Sequence, residues 1–237
     1  MIPEAAKQNL EFSILEFPTD ISRWNLVAAF YEFRRKMFME RLGWKLQEFE
    51  RMEWEQYDGF RTVYAVAHLN GVIVGGGRLR RTDQTNGIYS YMIRDAVLDL
   101  LPGLPNGLLY QEAPVSEEEW ELTRFATEGD PSIAAGLLYV INEYLFKKSA
   151  KGCLCLGTPA FLRMARRCAW EVDQMGPICS NHDGRFVVFR CSVVLPHTLI
   201  PGVCTSHPRV SDGKITKFNW SIGLPLSVLL GKLVNTQ

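Results

Sequence analysis

The chain has 237 residues, of which 47% are hydrophobic and 22% are charged, a composition typical of a soluble globular protein. Lysine plus arginine and aspartate plus glutamate both total 26, so the formal net charge is zero and no overall basic field favours nucleic acid. We therefore predict a single domain spanning residues 1–237, in which any electrostatic recognition is local.

The N-terminal residues and the apolar stretches indicate where the protein is located, and the cysteines indicate whether it binds a metal. The N-terminus has no basic region followed by an apolar run, and no stretch approaches the roughly 18 apolar residues of a membrane span, so we predict a cytoplasmic protein. The cysteines show neither a CxxC pair nor a Cys/His metal spacing. We predict no metal site and interpret them as buried free thiols: Cys153, Cys155, Cys168, Cys179, Cys191 and Cys204.

The first third of the chain has clear local patterns. Residues 10–17 alternate as a strand does, and the apolar residues of 21–41 recur at helical spacing. Residues 62–69 and 72–80 predict a hairpin, because Asn70-Gly71 between them suits a type I′ turn. Residues 45–59 are charged, aromatic and aperiodic, which indicates an ordered loop.

The remaining elements are predicted in the order helix, strand, helix, strand, helix, strand, at residues 90–101, 120–127, 131–149, 152–157, 159–168 and 186–195. The pattern weakens beyond Pro196. The whole order predicts an α/β fold, with a mixed twisted sheet flanked by helices on both faces.

A carboxylate and a guanidinium, Glu121 and Arg124, interrupt the apolar strand 120–127. Unpaired buried charge costs several kcal/mol or more, so charges in such a strand indicate a site. Residues three apart face opposite sides of a regular strand. If both side chains serve one cleft, a β-bulge must lie between them, and bulges cluster near active sites.

Four groups of residues, in this order and at these separations, resemble a known family. They are FRRKMF (33–38) with ERLGW (40–44), MEWEQYD (52–58), GGGRL (75–79) and WELTRFA (120–126). Together they resemble the acyl-homoserine-lactone synthases, the LuxI-type autoinducer synthases of bacterial quorum sensing.

The resemblance implies a fold similar to that of the GNAT-type N-acetyltransferases, and an acyltransferase activity. The acyl group would come as a thioester on coenzyme A or acyl carrier protein, and the acceptor would be the amino group of S-adenosylmethionine. Closure of the lactone would release methylthioadenosine. S-adenosylmethionine would be a substrate rather than a cofactor. The zero net charge and the lack of a long apolar stretch predict that neither nucleic acid nor a membrane is a partner.

The resemblance also implies roles for single residues. Glu121 matches the candidate general base, which acts directly or through a water. The S-adenosylmethionine pocket would involve Arg34, Phe38, Trp44, Glu55, Asp58, Arg78, Thr123 and Arg124. These residue types fit a ligand with an ammonium, a sulfonium and a carboxylate. For the pair Arg34 and Asp58 a structural salt bridge is the alternative, and for Phe38 and Trp44 it is core packing.

Three positions depart from the family pattern. Glu55 stands where the first of two aspartates is expected, Thr123 replaces a serine, and Val97 replaces a phenylalanine. Together with the bulky Trp170, the change at Val97 favours a branched or aryl acyl group over a long straight chain. Candidates for the acyl pocket are Val97, Cys155, Thr158, Met164, Trp170 and Met175, for each of which core packing is the alternative.

One sequence-local basic cluster consists of Lys147, Lys148, Lys151, Arg163, Arg166 and Arg167. It is either a solvated helix surface or a docking patch for an acidic carrier protein or the phosphates of coenzyme A. Two other functions stay open beside the synthase. One is an N-acyltransferase of the same fold that acts on another amine without lactone closure, and the other is a non-catalytic thioester- or nucleoside-binding protein.

Overall fold

The computed structural model describes residues 10–198, 209–211 and 214–216. Its helices are α1 (Trp24–Arg34), α2 (Met92–Val97), α3 (Pro131–Lys147) and α4 (Pro159–Arg167). A 3-10 turn (Ile21–Arg23) precedes α1, π-helical turns (Arg35–Arg41) continue it, and a further 3-10 turn spans Pro196–Thr198. The strands are β1 (Leu10–Glu16), β2 (Glu48–Phe49), β3 (Met52–Glu53), β4 (Val63–Leu69), β5 (Val72–Arg81), β6 (Glu119–Thr127), β7 (Gly152–Gly157), β8 (Val172–Gln174), β9 (Cys179–Asn181), β10 (Gly184–Ser192), β11 (Arg209–Ser211) and β12 (Lys214–Thr216).

The main sheet has the order β11-β12-β1-β4-β5-β6-β7-β10-β8, with β9 paired to β10, while β2 and β3 form a separate hairpin. All neighbours are antiparallel except β6 and β7, which run parallel. This mixed sheet with helices on both faces confirms the predicted fold class. The turn between β4 and β5 is also as predicted, because Asn70 (φ 52) and Gly71 (φ 87) both have the positive φ that a type I′ turn requires.

Alternation along the strands builds three separate apolar cores. Leu79, Leu122 and Cys155 point to one face, where they join α3 and α4 in the α3/α4 core. On the other face, α1 packs on Tyr64 and its neighbours in the α1 core. Beyond it on the same face lies the α2 core, which α2 forms with residues of β7 and β10 such as Leu154. The junction of the α1 and α2 cores is where the charged side chains of β5 and β6 emerge.

Strands β6 and β7 pair only from Glu119–Leu122 against Gly152–Cys155. Strand β6 runs on to Thr127 and β7 to Gly157 without further pairing to each other, so the two strands separate beyond Leu122. The start of α4 lies at this gap, and Thr158 caps it by accepting a hydrogen bond from the Phe161 amide at 3.2 Å. The sheet therefore has an opening beside Thr123.

Some predicted boundaries were wrong. Helix α2 ends at Val97 rather than at residue 101, because Asp99 adopts a left-handed conformation (φ 61) that stops the helix. Strand β10 spans 184–192 rather than 186–195. The five described cysteines are free thiols, and Cys204 lies outside the described residues.

Candidate active site

Three arginines and three carboxylates meet at the junction of the α1 and α2 cores. Arg34, near the end of α1, donates from Nη1 and Nη2 to the two carboxylate oxygens of Asp58 at 2.8 and 2.9 Å. Its Nε donates to Glu53. All three side chains are buried, with no accessible surface on Arg34. Such a bidentate pair fixes orientation as well as charge.

Arg78 enters the same cluster from β5. Its Nη2 lies 2.5 Å from Glu55, its Nη1 lies 3.1 Å from Asp58, and its Nε donates to the Thr123 hydroxyl at 3.0 Å. Its guanidinium also lies 5.4 Å from the centre of the Tyr57 ring. Thr123 thus keeps the hydroxyl of the serine that the family pattern has at this position, and the hydroxyl orients an arginine.

Arg124 completes the cluster from a β-bulge. Arg124 and Phe125 together oppose Gly77 of β5, and Arg124 is left-handed (φ 53), as bulge residues often are. Its Nε lies 3.2 Å from Glu53 and its Nη2 lies 2.7 Å from Glu55. The bulge that the charge spacing predicted is confirmed, and it includes Arg124 itself. It brings Arg124 to the face from which Glu121 emerges.

Two aromatic rings border the cluster. Phe38 stacks on Trp44 with ring centres 5.1 Å apart and an interplanar angle of 18°. The Arg124 guanidinium lies 5.7 Å from the Phe38 ring centre. Phe38 is buried and Trp44 half-buried, so the stack forms a wall between the charges and the surface. An aromatic wall beside carboxylates suits a cationic group.

The arginines keep Asp58 and Glu55 ionised. Burial alone would raise the pKa of Asp58, but Arg78 and Arg34 hold that pKa well below its ordinary value. The pKa of Glu55 is likewise lowered, because Arg124 and Arg78 outweigh its burial. Three cations and three anions thus balance within the cluster. A zwitterionic ligand can bind such a site by exchanging partners without leaving a net buried charge.

Glu121 lies on β6 beside the cluster, and its pKa is raised where those of Asp58 and Glu55 are lowered. Its two carboxylate oxygens accept hydrogen bonds from the Met92 and Ile93 amides, at 2.9 and 2.7 Å, at the N-terminus of α2. Burial raises its pKa to about 7 despite these two hydrogen bonds. A carboxylate with a pKa near neutral pH is suited to accept a proton from a substrate. The same contacts also give Glu121 a structural role as a cap of α2.

The sequence prediction missed Glu53 and Tyr64. Glu53 is buried and bridges Arg34 and Arg124, and Tyr64 donates to Asp58 at 3.1 Å. Glu53 had a usable signal, because it stands two residues before Glu55 in the same motif. Tyr64 had none, since a tyrosine in an apolar strand is an ordinary core residue.

A family model described as autoinducer synthase matches residues 19–190 of the chain. The chain belongs to the autoinducer synthase family. It is therefore an enzyme, as the resemblance of its motifs implied. The matched span contains every member of the charged cluster, the aromatic wall and Glu121.

Individual relatives agree with the family assignment. An acyl-homoserine-lactone synthase of Acinetobacter nosocomialis is 35% identical over 165 residues, which cover 64% of this chain and 84% of the relative. Among solved structures, the chain is similar to the crystal structure of TofI in a ternary complex with an inhibitor and MTA. The two sequences are 28% identical, and the TM-score is 0.63 over 77% of this chain and 91% of that one. A putative N-acetyltransferase from Lactobacillus plantarum, 14% identical with a TM-score of 0.50 over 78% of this chain and 99% of that one, shares the fold.

The predicted acyl-pocket residues of this autoinducer synthase do not lie on one face of the sheet. Val97 and Met175 pack in the α2 core, on the face of Glu121. Cys155, Met164 and Trp170 pack in the α3/α4 core on the other face. An acyl tunnel that used both sets would have to pass through the gap between β6 and β7, at which Thr158 also lies.

Trp170 has a structural explanation of its own. It is buried, and its Nε1 donates to Asn142 of α3 at 3.2 Å. Asn142 in turn bonds the backbone of Val194 at 2.8 and 3.1 Å. These contacts tie α3 to the chain after β10, so the acyl-pocket role of Trp170 stays a prediction.

The basic cluster divides into two kinds of residue. Each of its three lysines is engaged by a carboxylate: Lys147 by Glu143, Lys148 by Glu16 and Lys151 by Glu118, at 2.6, 2.9 and 2.7 Å. Within the described residues, the three arginines of α4 have no such partner and are exposed: Arg163, Arg166 and Arg167. A docking patch in this synthase would thus rest on α4.

The described residues contain neither a membrane-spanning helix nor a metal-binding cluster. No helix there is long and apolar enough to cross a membrane. No group of three or more His, Cys, Asp or Glu side chains there is placed to hold a metal ion.

Proposed function

We propose that this autoinducer synthase transfers an acyl group from a thioester, on coenzyme A or acyl carrier protein, to the amino group of S-adenosylmethionine. The methionyl part then closes to an N-acyl-L-homoserine lactone and methylthioadenosine leaves. The observation that carries the proposal is the position of Glu121, a buried carboxylate beside a balanced cluster of three arginines and three carboxylates. Burial raises its pKa to about 7.

The charges of the cluster suit this acceptor. S-adenosylmethionine carries an ammonium, a sulfonium and a carboxylate, and its net charge is positive at neutral pH. In the proposal Asp58 and Glu55 attract the cationic groups and Arg124 binds the carboxylate. The Phe38–Trp44 stack offers an aromatic face to a cation. TofI, a relative at 28% identity, was crystallised with MTA.

The first step of the proposed reaction is the removal of a proton by a base. The ammonium of S-adenosylmethionine loses one proton to Glu121, and the free amine attacks the thioester carbonyl carbon. The C–S bond of the thioester breaks, and the leaving thiolate takes the second amine proton. The methionyl carboxylate then attacks its own γ-carbon. The bond from that carbon to the sulfonium breaks, and the electron pair stays on sulfur as neutral methylthioadenosine.

The pH dependence tests the role of Glu121. Because a general base must be unprotonated, we expect kcat/KM with saturating acyl donor to rise as pH increases through about 7. Below that value the protonated carboxyl cannot accept the proton. Steady-state rates measured between about pH 5 and pH 9 would show this limb, and a profile flat across that range would exclude Glu121 as the base.

The arginines of α4 offer a second test, on the acyl donor. Reversing the charges in Arg163→Glu/Arg167→Glu should raise the KM for an acyl carrier protein or acyl-CoA donor about fivefold or more, with kcat changed less than about twofold. The control is Lys147→Glu/Lys151→Glu, which changes the total charge equally at lysines that already pair with carboxylates. Equal donor KM values for the two variants would refute the docking patch.

A further inference from the structure

Arg80 is a buried cation that the proposed chemistry does not use. It is 3% exposed and lies two residues after Arg78 on the same side of β5. Among the described residues it forms no ion pair with a carboxylate. Its three hydrogen bonds go to neutral oxygens instead: the Ser90 carbonyl, the Tyr57 carbonyl and the Thr62 hydroxyl, at 3.2, 3.3 and 3.2 Å. A buried guanidinium whose hydrogen bonds all go to neutral groups needs an explanation, because burying an ionised group costs free energy.

A buried carboxylate, Asp95, bonds the same two residues, Tyr57 and Ser90. Asp95 of α2 has no exposed surface, and it accepts from the Tyr57 hydroxyl at 2.8 Å and the Ser90 amide at 2.9 Å. The Ser90 hydroxyl also donates to it at 3.1 Å. Arg80 and Asp95 thus each form hydrogen bonds with both Tyr57 and Ser90. Tyr57 lies in the loop that carries Glu55 and Asp58, and Ser90 precedes the helix that binds Glu121.

Arg80 also lies directly beside Glu121. The two residues are cross-strand partners on β5 and β6, and their side chains leave the sheet on the same face. The charged and titratable groups around Glu121 are Arg78 and Arg80 of β5, Tyr57 of the carboxylate loop, and Tyr91 just before α2. Of the two arginines, Arg80 bonds both Tyr57 of the carboxylate loop and Ser90 of the segment before α2.

We propose that Arg80 is a positioning residue that joins the carboxylate loop to the N-terminus of α2 and so holds Glu121 in register with the amine-binding carboxylates. The inference rests on the proposed function. Arg80 contacts no reacting atom in this account. It acts through Tyr57 and Ser90, and its positive charge favours the ionised form of Glu121.

The pH profile of Arg80→Met separates this role from simple packing. Methionine retains much of the length of the side chain but removes the charge and all three hydrogen bonds. We expect the acid limb of kcat/KM to move to higher pH by roughly half a unit or more, so that the rate at about pH 6 falls about threefold further than the rate at about pH 8.5. The matched control is Arg81→Met, which removes a neighbouring arginine that pairs with Asp83 at the surface. Its profile should follow the wild type.

Arg80→Lys tests the positioning part, and it serves alone if Arg80→Met does not fold. It keeps the charge but not the planar fork that reaches three oxygens. We expect an unmoved acid limb with the KM for S-adenosylmethionine raised about threefold or more. Wild-type pH profiles and KM values in both arginine variants would overturn the inference while leaving the proposed function intact. Absence of lactone from the wild type itself would instead overturn the proposed function.

Discussion

Replacing Glu121 with glutamine is expected to lower kcat about 10²- to 10⁴-fold, the usual range for loss of a general base. The neutral amide cannot take the proton that the substrate ammonium must lose. Affinity for S-adenosylmethionine should change little, because the three arginines and three carboxylates of the cluster remain. Single-turnover rates and calorimetric titration would measure the two quantities separately.

The capping role of Glu121 has to be distinguished from its chemistry. Glutamine keeps one acceptor for the Met92 and Ile93 amides and loses the other, so a stability loss of about 1–3 kcal/mol is expected beside the rate loss. Glu119→Gln is the control, since Glu119 lies on the same strand but pairs with Arg190 outside the site. A Glu121→Gln enzyme that is folded and keeps more than about a tenth of the wild-type kcat would contradict the assignment.

Replacing Arg34 with methionine is expected to lower the free energy of unfolding by about 3–5 kcal/mol. The change leaves Asp58 and Glu53 buried, with the positive charge of the cluster reduced from three arginines to two. In a protein of this size each kcal/mol lowers Tm by about 2–4 °C, so a fall of roughly 6–20 °C is expected in thermal denaturation.

Arg35→Met is the matched control for this experiment. Arg35 follows Arg34 in sequence, but its partners Glu40 and Glu48 are exposed, so its removal should cost less than about 1 kcal/mol. The double variant Arg34→Met/Asp58→Asn should recover part of the loss, because it removes one of the stranded carboxylates. Equal Tm values for the two single variants would mean that the buried ion cluster does not stabilise the fold.

Some features could be predicted from the sequence because they are local. The β4–β5 hairpin depends on two adjacent residues, Asn70 and Gly71, whose backbone preferences decide the turn. The bulge at Arg124 could be predicted because two charges three apart cannot otherwise share a face of a strand. Both conclusions needed no knowledge of distant contacts.

Other features depend on partners that are far away along the chain. Arg80 looks like an exposed strand residue until the register with β6 places it beside Glu121, 41 positions later. The predicted acyl-pocket residues Cys155 and Met175 belong to opposite faces of the sheet, which the composition of their segments does not reveal. Strands β8 and β9 have three residues each, too few to show a period.

Mass spectrometry of a defined reaction tests the central claim most directly. Purified protein would be mixed with S-adenosylmethionine and a panel of straight-chain, branched and aryl acyl thioesters, with Glu121→Gln in parallel. The account predicts that the wild type forms an N-acyl homoserine lactone and methylthioadenosine in equal amounts, and that the variant forms almost none. Acylation of another amine with no methylthioadenosine released, or no turnover of any thioester, would contradict it.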